Sequence, residues 1–162
     1  MSGYHLAQIN VGRFLHDRDD PANADFMNAL DPVNAQADAA PGFVWRLVGD
    51  GTDATDLMPD ESDPQLLLNM SVWTDVEALG AFVYRNSDHL SFMRRRKEWF
   101  EKIEVFQALW WVPAGHIPSV AEGMERVALL RADGPSAQAF TFRETFAAPD
   151  GTPAIPQLDE CA

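Results

Sequence analysis

Two histidines are the side chains in this sequence best suited to proton transfer. His89 lies in a segment with helical spacing of apolar residues, and His116 lies in the stretch LWWVPAGHIPSVAEG, residues 109–123. A histidine ring with an unperturbed pKa of about 6.5 exchanges protons near neutral pH, and it can also ligate a metal or haem. Each has a structural alternative: His89 would hydrogen-bond to its neighbours, and His116 would fix the turn between Gly115 and Pro118.

Polar side chains alternate with apolar ones along two predicted strands. One face of the strand predicted at 65–73 is uniformly apolar and the other is mixed, and the strand predicted at 4–11 alternates in the same way. Apolar walls with a few polar groups are typical of small-molecule sites. The sequence therefore predicts a partly polar cavity lined by Gln8, Asn10, Asn69, Ser71 and Trp73, with Trp110 or Trp111. The alternative is a polar sheet face bridged by water.

Tyr84 and Arg85 lie where the residues RNSD, 85–88, interrupt a predicted helix. A guanidinium group can bind an anion through two parallel hydrogen bonds, so both residues are predicted to contact a ligand. Pairing of Arg85 with one of the many acidic residues is the alternative. The basic run Arg94–Arg96 is interpreted as a solvated face with salt bridges to the acidic surface.

The charge of the chain argues against several classes of partner. Its 162 residues carry a formal net charge of −13, and such a surface repels phosphate backbones and anionic lipid headgroups. We expect neither nucleic acid nor a membrane as a partner. No apolar run approaches the roughly 20 residues that span a bilayer, and the N-terminus does not resemble a signal peptide, so a cytoplasmic protein is expected.

The sequence lacks the familiar cofactor motifs. Its single cysteine, Cys161, cannot form an internal disulfide or build a zinc site, and no H-E-x-x-H pattern occurs. There is no G-x-G-x-x-G or Walker pattern for a nucleotide. We therefore predict no metal and no nucleotide cofactor.

The order of predicted elements indicates an α+β fold. Strand, helix, strand, strand, helix and strand follow one another, with Thr74 or Asp75 as the cap of the second helix, and a further helix begins at the S-x-x-E capping box formed by Ser119 and Glu122. A second helical piece over 88–100, capped by Ser87, and a short strand over 139–146 are also predicted. This βαββαβ order is that of a ferredoxin-like fold. We expect helices to cover one face of an antiparallel sheet, with Leu68, Met70 and Val72 beneath them. One domain is predicted over residues 1–146, followed by a polar, proline-containing tail over residues 147–162.

The other sheet face would carry Trp73 and one of Trp110 or Trp111. Large exposed apolar patches are rare on monomers. We therefore predict a homodimer that packs sheet against sheet.

Several blocks of the sequence resemble a known family. They run from about His5 to Phe142 and read HLAQINVGR, PGFVWRL, NMSVW, EALGAFVYR, RRRKEWF, LWWVPAGHIPSVAEG and GPSAQAFTF. They resemble a mostly bacterial domain of unknown function that is grouped with the antibiotic-biosynthesis-monooxygenase-like members of the dimeric α/β-barrel superfamily. The resemblance implies ferredoxin-like subunits that form a dimeric α/β barrel. It implies no single reaction.

The wider superfamily suggests what the cavity would do. Its members include cofactor-independent quinol oxygenases, haem-degrading oxygenases, haem peroxidases and isomerases, so the resemblance implies a small-molecule-binding protein. The leading hypothesis is a monooxygenase that acts without a cofactor on an aromatic or quinol-like substrate. His89 matches the general location of a histidine in the monooxygenase-like pattern and would act as the base, with His116 as a second candidate. Asn10 or Asn69 would stabilise the anion that forms.

Two alternatives are kept. In the first, the protein binds haem and His89 is the axial ligand. The haem-degrading branch has an asparagine on the first strand, which Asn10 could match, but it has a tryptophan on the second helix where this chain has Phe82. In the second, the protein is a dimeric ligand-binding protein without enzymatic activity.

Overall fold

The chain folds into a four-stranded antiparallel sheet with helices on both faces. The computed structural model describes residues 3–49, 60, 62–103 and 105–154. The strands are β1 (Tyr4–Arg13), β2 (Phe43–Arg46), β3 (Leu66–Trp73) and β4 (Gln107–Pro113), and the helices are α1 (Ala24–Asp38), α2 (Val76–Arg85), α3 (Ser87–Arg94), α4 (Arg96–Trp99) and α5 (Val120–Asp133). The strand order is β2-β3-β1-β4. β3 thus separates β1 from β2, the split βαβ arrangement, and the predicted α+β class is confirmed.

Helix caps set where the central helices begin. The side chain of Asp75 accepts a hydrogen bond from the backbone N–H of Ala78 at 2.8 Å and so starts α2. Asn86, rather than the predicted Ser87, caps α3, because its Oδ1 accepts the backbone N–H of His89 at 2.9 Å. The single helix predicted at 88–100 is divided at Arg95 into α3 and α4. The break therefore separates His89 on α3 from the residues of α4.

The two faces of the sheet bury different kinds of residue. The face that carries Gln8 and Asn10 lies against α1 to α4, and we call it the cavity face. The face that carries Ile9 and Met70 lies against α5, and we call it the α5 face. α5 approaches closely because Gly123 has no side chain: a Cβ there would lie 2.8 Å from Ile9 Cδ1.

This arrangement corrects the predicted layering. Leu68, Met70 and Val72 do lie beneath a helix, but that helix is α5, and the mixed face lies beneath the other helices rather than opposite them. Trp73 and Trp111 are 1% and 9% exposed on the cavity face, and Trp110 is 0% exposed on the α5 face. Because one chain covers both faces, the exposed-patch argument for a homodimer does not hold. The homodimer and the barrel stay predictions.

The C-terminal segment packs on the sheet edge. The strand predicted at 139–146 is reduced to two isolated bridges: Ala139 bridges Ser136, and Phe140 and Leu109 exchange two backbone hydrogen bonds of 2.8 and 2.9 Å. Beyond the predicted domain boundary, Ala148 and Ala154 are buried in the cluster around Trp111. Residues 155–162 of the predicted tail, including Cys161, lie outside the described residues. In the described ranges, no helix combines the length and the apolar character needed to cross a bilayer.

Candidate functional site

A cavity of about 200 Å³ lies between the cavity face of the sheet and the helices α1 to α4. Its walls are mainly aromatic and aliphatic, and its floor is polar. Wall residues are Phe26, Leu30, Leu67, Phe92, Met93, Trp99, Phe100 and Phe106. Phe26 is the centre of this wall, with its ring 5.1 to 5.5 Å from those of Phe92, Trp99 and Phe100. A flat aromatic ligand would find matching surfaces here.

Two asparagines form the polar floor. Asn10 on β1 lies directly opposite Asn69 on β3 in the strand register, so their side chains emerge side by side. Oδ1 of Asn69 accepts a hydrogen bond from Gln8 Nε2 at 2.8 Å, which leaves its Nδ2 group for the cavity. Oδ1 of Asn10 is buried and has no partner among the described residues. The Nδ2 group of Asn69 therefore offers N–H donors to a ligand, and Asn10 contributes an amide whose acceptor oxygen has no partner among these residues.

His89 lies on the helical side of the cavity with a defined tautomer. Its Nδ1 is 3.1 Å from the carbonyl oxygen of Val83, near the end of α2. A carbonyl can only accept, so Nδ1 carries the proton and Nε2 keeps its lone pair. Burial lowers the pKa of His89, and the bond to Val83 offsets part of that effect. The ring is thus neutral at neutral pH, which a base requires.

Arg96 adds a positive charge to the same cavity. Its guanidinium donates a hydrogen bond of 3.1 Å to the backbone oxygen of Val11, and its Cζ lies 4.5 Å from the centre of the Phe106 ring. In the described part of the chain it forms no salt bridge, whereas Arg46, which also lines the cavity, pairs with Asp38 at 2.7 Å. Burial lowers the pKa of Arg96, but a guanidinium stays protonated in proteins. A half-buried cation that has no carboxylate partner among the described residues is suited to binding an anion.

The structure brings together only part of the predicted site. Four predicted residues line the cavity: His89, Asn10, Asn69 and Tyr84. Ser71 and Trp73 lie behind the floor, where Trp73 Nε1 donates to Ser71 Oγ at 2.8 Å. The remaining three, His116, Trp110 and Arg85, lie elsewhere, and the roles predicted for them have no support from this cavity.

His116 and Trp110 belong to the α5 face. Nε2 of His116 lies 2.8 Å from Oε1 of Glu122, and Trp110 Nε1 donates to the other carboxylate oxygen of Glu122 at 3.0 Å. The expected capping bond from the Glu122 backbone N–H to Ser119 Oγ is present at 3.1 Å. His116 therefore contacts the first turn of α5 through Glu122, a side-chain contact that differs from the turn-fixing role given as its structural alternative.

Arg85 and Tyr84 differ in position although they are adjacent in sequence. Arg85 points to a separate, shallow groove beside Phe82 and Thr74. Tyr84 lies at the cavity mouth, 51% exposed, with its ring 5.3 Å from that of Phe142. Of this pair, only Tyr84 is placed to contact a ligand in the cavity.

Arg96 is the residue that the sequence-based prediction missed. Arg95 matches the expected solvated arginine, since it pairs with Asp25 and Glu98 at 2.8 Å, but Arg96 turns inward. The spacing of seven residues puts His89 and Arg96 on one side of the predicted helix, but the division at Arg95 means that this spacing alone does not place Arg96 at the cavity. Because the run Arg94–Arg96 is entirely basic, it was interpreted as solvated, and the inward position of Arg96 was missed.

The cavity does not fit a haem. Its volume of about 200 Å³ is below the roughly 300–1,000 Å³ of sites for drug-sized ligands, and a porphyrin ring system is large even among those. Nε2 of His89 has a lone pair that could ligate a haem iron, but the cavity is too small for the porphyrin ring. The chemistry of this cavity therefore rests on the side chains that line it.

Comparison with solved structures finds similar folds at low sequence identity. A protein from Nitrosomonas europaea, provisionally named an antibiotic biosynthesis monooxygenase, is 13% identical, with a TM-score of 0.49 over 74% of this chain and 98% of that one. SnoaB, a cofactor-independent oxygenase from Streptomyces nogalater, is 16% identical, with a TM-score of 0.48 over 71% and 98%. A Pseudomonas aeruginosa protein is 19% identical, with a TM-score of 0.47 over 72% and 98%. Comparison with curated proteins finds no match.

Comparison with family models gives one match that spans nearly the whole chain. The matching model is described as a domain of unknown function, DUF3291, and it covers residues 5–155. That range includes every residue that lines the cavity, and it confirms the resemblance seen between His5 and Phe142. The chain belongs to this family of domains of unknown function, DUF3291.

Proposed function

We propose that the protein is a cofactor-independent monooxygenase that binds a small quinol-like aromatic substrate in the cavity. One observation carries the proposal: a neutral histidine, a guanidinium with no carboxylate partner among the described residues, and two asparagine amides surround one aromatic-walled space. A phenol needs a base to take its proton and positive or N–H groups to stabilise the resulting phenolate, and these side chains supply both. The volume suits one or two fused rings rather than a larger ligand.

Each group has a role that its geometry supports. Nε2 of His89 takes the proton of a substrate hydroxyl, and Nδ1 stays bonded to Val83 throughout. The resulting phenolate oxygen is stabilised by Arg96 and by the Nδ2 groups of Asn10 and Asn69, whose arrangement is set before the substrate binds. These interactions are stronger for the anion than for the neutral quinol, so they lower the barrier to its formation.

The substrate itself supplies the electrons for the reaction with O₂. The quinol anion is electron-rich and reduces O₂, one oxygen atom forms a new C–O bond on the ring, and the other is released as water. For a hydroquinone the sum is hydroquinone plus O₂ giving hydroxyquinone plus water, and the quinol is oxidised to the quinone level. The proton held by His89 ends in the water that leaves.

Oxygen incorporation tests the proposal. The purified protein would be given 1,4-dihydroxynaphthalene under ¹⁸O₂, and the product would be analysed by mass spectrometry beside a protein-free blank. We expect one labelled oxygen in the product, and a loss of about 10²–10⁴-fold in rate for His89→Gln. Arg85→Gln, which alters an arginine outside the cavity, is the matched control and should leave the rate unchanged.

Two other outcomes have defined meanings. Saturable binding of the quinol without any protein-dependent label would make the protein a ligand-binding protein without turnover. Label incorporation that His89→Gln leaves intact would remove the base assignment. The proposed chemistry lies within one chain and does not require the predicted homodimer, which light scattering of the purified protein would test separately.

A further inference from the structure

A second row of polar groups lies behind the cavity floor. Gln8 is 4% exposed, and its Nε2 donates to Asn69 Oδ1 and to Ser71 Oγ, both at 2.8 Å. Ser71 Oγ also accepts the Nε1 hydrogen of Trp73. Gln8 does not line the cavity itself, so it reaches a ligand only through Asn69.

The buried amide of Gln8 is costly to the fold. Its Oε1 is buried without a partner among the described residues, and a buried acceptor that forms no hydrogen bond destabilises a protein. An apolar side chain of similar size would avoid this cost on a sheet face that is otherwise filled by residues such as Leu6 and Leu109. A buried polar group kept at such a cost calls for an explanation beyond packing.

We propose that Gln8 is a positioning residue that fixes the orientation of the Asn69 amide and thereby makes the cavity floor selective for an anionic oxygen. This inference rests on the proposed function and names what the floor recognises. An asparagine amide can present either its oxygen or its nitrogen to a ligand. Because the Gln8 donor holds Asn69 Oδ1, the group that Asn69 leaves for the ligand is Nδ2, and this part of the floor repels hydrogen-bond donors.

The reverse orientation is disfavoured by the same contact. Rotating the Asn69 amide alone would place its Nδ2 hydrogens against the Nε2 hydrogens of Gln8, and rotating Gln8 as well would give up the bond from Gln8 Nε2 to Ser71 Oγ. The floor then matches a phenolate or carboxylate and discriminates against an amine of the same shape. We expect a preference of about tenfold or more, the usual effect of one hydrogen bond to a charged group.

The first test uses the ligand-free wild-type protein. The Asn69 side-chain amide signal would be identified in ¹⁵N-labelled protein by its absence from Asn69→Asp, and its hydrogen exchange with water would be measured. The proposal expects exchange as fast as that of a free amide. Slow exchange, as for an amide that donates to Gln8, would overturn it whatever the protein binds.

The second test reverses the donor with Gln8→Glu, which keeps the shape. A protonated carboxyl group at this position has one hydrogen, which it can donate to Asn69 in place of the Gln8 donor, but an ionised one only accepts, so Asn69 must turn its oxygen to the cavity. Affinity for 4-nitrobenzoate, followed by tryptophan fluorescence, should match the wild type at low pH. It should then fall about tenfold or more relative to the wild type as pH rises.

Simple charge repulsion would also weaken binding of this anion, so a neutral probe is needed. The affinity of Gln8→Glu for 4-nitroaniline should rise over the same pH range, because the turned Asn69 oxygen accepts its N–H. An unchanged 4-nitroaniline affinity would overturn the proposal. Fast Asn69 exchange in a wild type that binds neither probe would instead defeat the proposed function and the selectivity built on it, while leaving the orientation of Asn69 established.

Discussion

The two faces of one sheet differ in what lies against them. On the α5 face, Ile9 and Met70 are 0% and 1% exposed, and even a methyl group added at Gly123 would have no room. On the cavity face, Asn10 and Asn69 lie on the same two strands, and their side-chain amides border the cavity. Successive side chains of one strand point to opposite faces of the sheet, so one packs against α5 and the next faces the cavity.

The comparison shows where the stability and the chemistry of the protein reside. The α5 face resembles a close-packed interior, in which every removed atom leaves a void. Within the described residues, the cavity face keeps a guanidinium without a carboxylate and an amide oxygen without a hydrogen-bond donor, which cost stability unless a ligand uses them. We infer that substitutions on the α5 face will change folding, and that substitutions on the cavity face will change binding.

The largest expected effect is the loss of packing on the α5 face. Ile9→Ala should lower the free energy of unfolding by about 2–5 kcal/mol, because the surrounding side chains cannot close the void. Leu30→Ala, the matched change on the cavity wall, should cost clearly less, since Leu30 already borders open space. Denaturant unfolding of both variants measures the difference, and equal losses would contradict the distinction between the faces.

The next effect concerns the tryptophan hydrogen bonds of the two faces. Trp110→Phe removes the donor that binds the Glu122 carboxylate and should cost about 1.5–3 kcal/mol, the usual range for a bond to a charged group. Trp73→Phe removes a bond to the neutral hydroxyl of Ser71 and should cost about 1 kcal/mol. Thermal unfolding of the two variants side by side tests the order. A reversed order would show that Glu122 takes little part in holding α5.

Much of the fold could be predicted from local patterns. The alternation in β3 and the capping residues Asp75 and Ser119 each depend on a few neighbouring residues, and each was recognised in the sequence. The strand predicted at 139–146 was not found as such, because its pairing consists of two isolated bridges, Phe140 with Leu109 and Ala139 with Ser136.

The assignment of helices to faces could not be predicted in the same way. The alternation shows that a strand has two different faces, but it does not say which helix covers each one. The capping box predicted α5 as a helix without placing it on the sheet. For the same reason Trp110 was grouped with the cavity, although it lies on the opposite face from Trp73.

The site was only half visible in the sequence. His89, Asn10 and Asn69 were identified because their residue types and spacing suggest chemistry. Arg96 was overlooked because its charged neighbours made the run look solvated, and only the break at Arg95 turns it inward. Burial and pairing of an arginine depend on tertiary contacts, which spacing alone does not give.

A smaller effect should appear in the pH dependence of stability. Burial lowers the pKa of His89 in the folded state, so below about pH 6.5 the unfolded chain binds this proton more readily than the folded one. Stability should therefore fall as the pH falls from 7 through the folded pKa. His89→Gln, which does not titrate, should lack this component. Unfolding curves of the two proteins across this range are the measurement, and a constant difference between them at every pH would contradict a buried neutral His89.

The smallest expected effect on folding is the most informative about the cavity. Arg96→Met removes one hydrogen bond to Val11 and the contact with the Phe106 ring, but it also removes a buried charge that lacks a carboxylate partner in the described structure. These terms oppose each other, so the free energy of unfolding should stay within about 1 kcal/mol of the wild type. Binding of 4-nitrobenzoate to the same variant should nevertheless be lost. Arg95→Met, which removes an exposed and paired arginine, should keep the binding. If Arg96→Met instead lost several kcal/mol of stability, the guanidinium would be a structural contact between α4 and β1. Folding of the cavity face would then depend on the charge of Arg96, as folding of the α5 face depends on the packing of its apolar side chains.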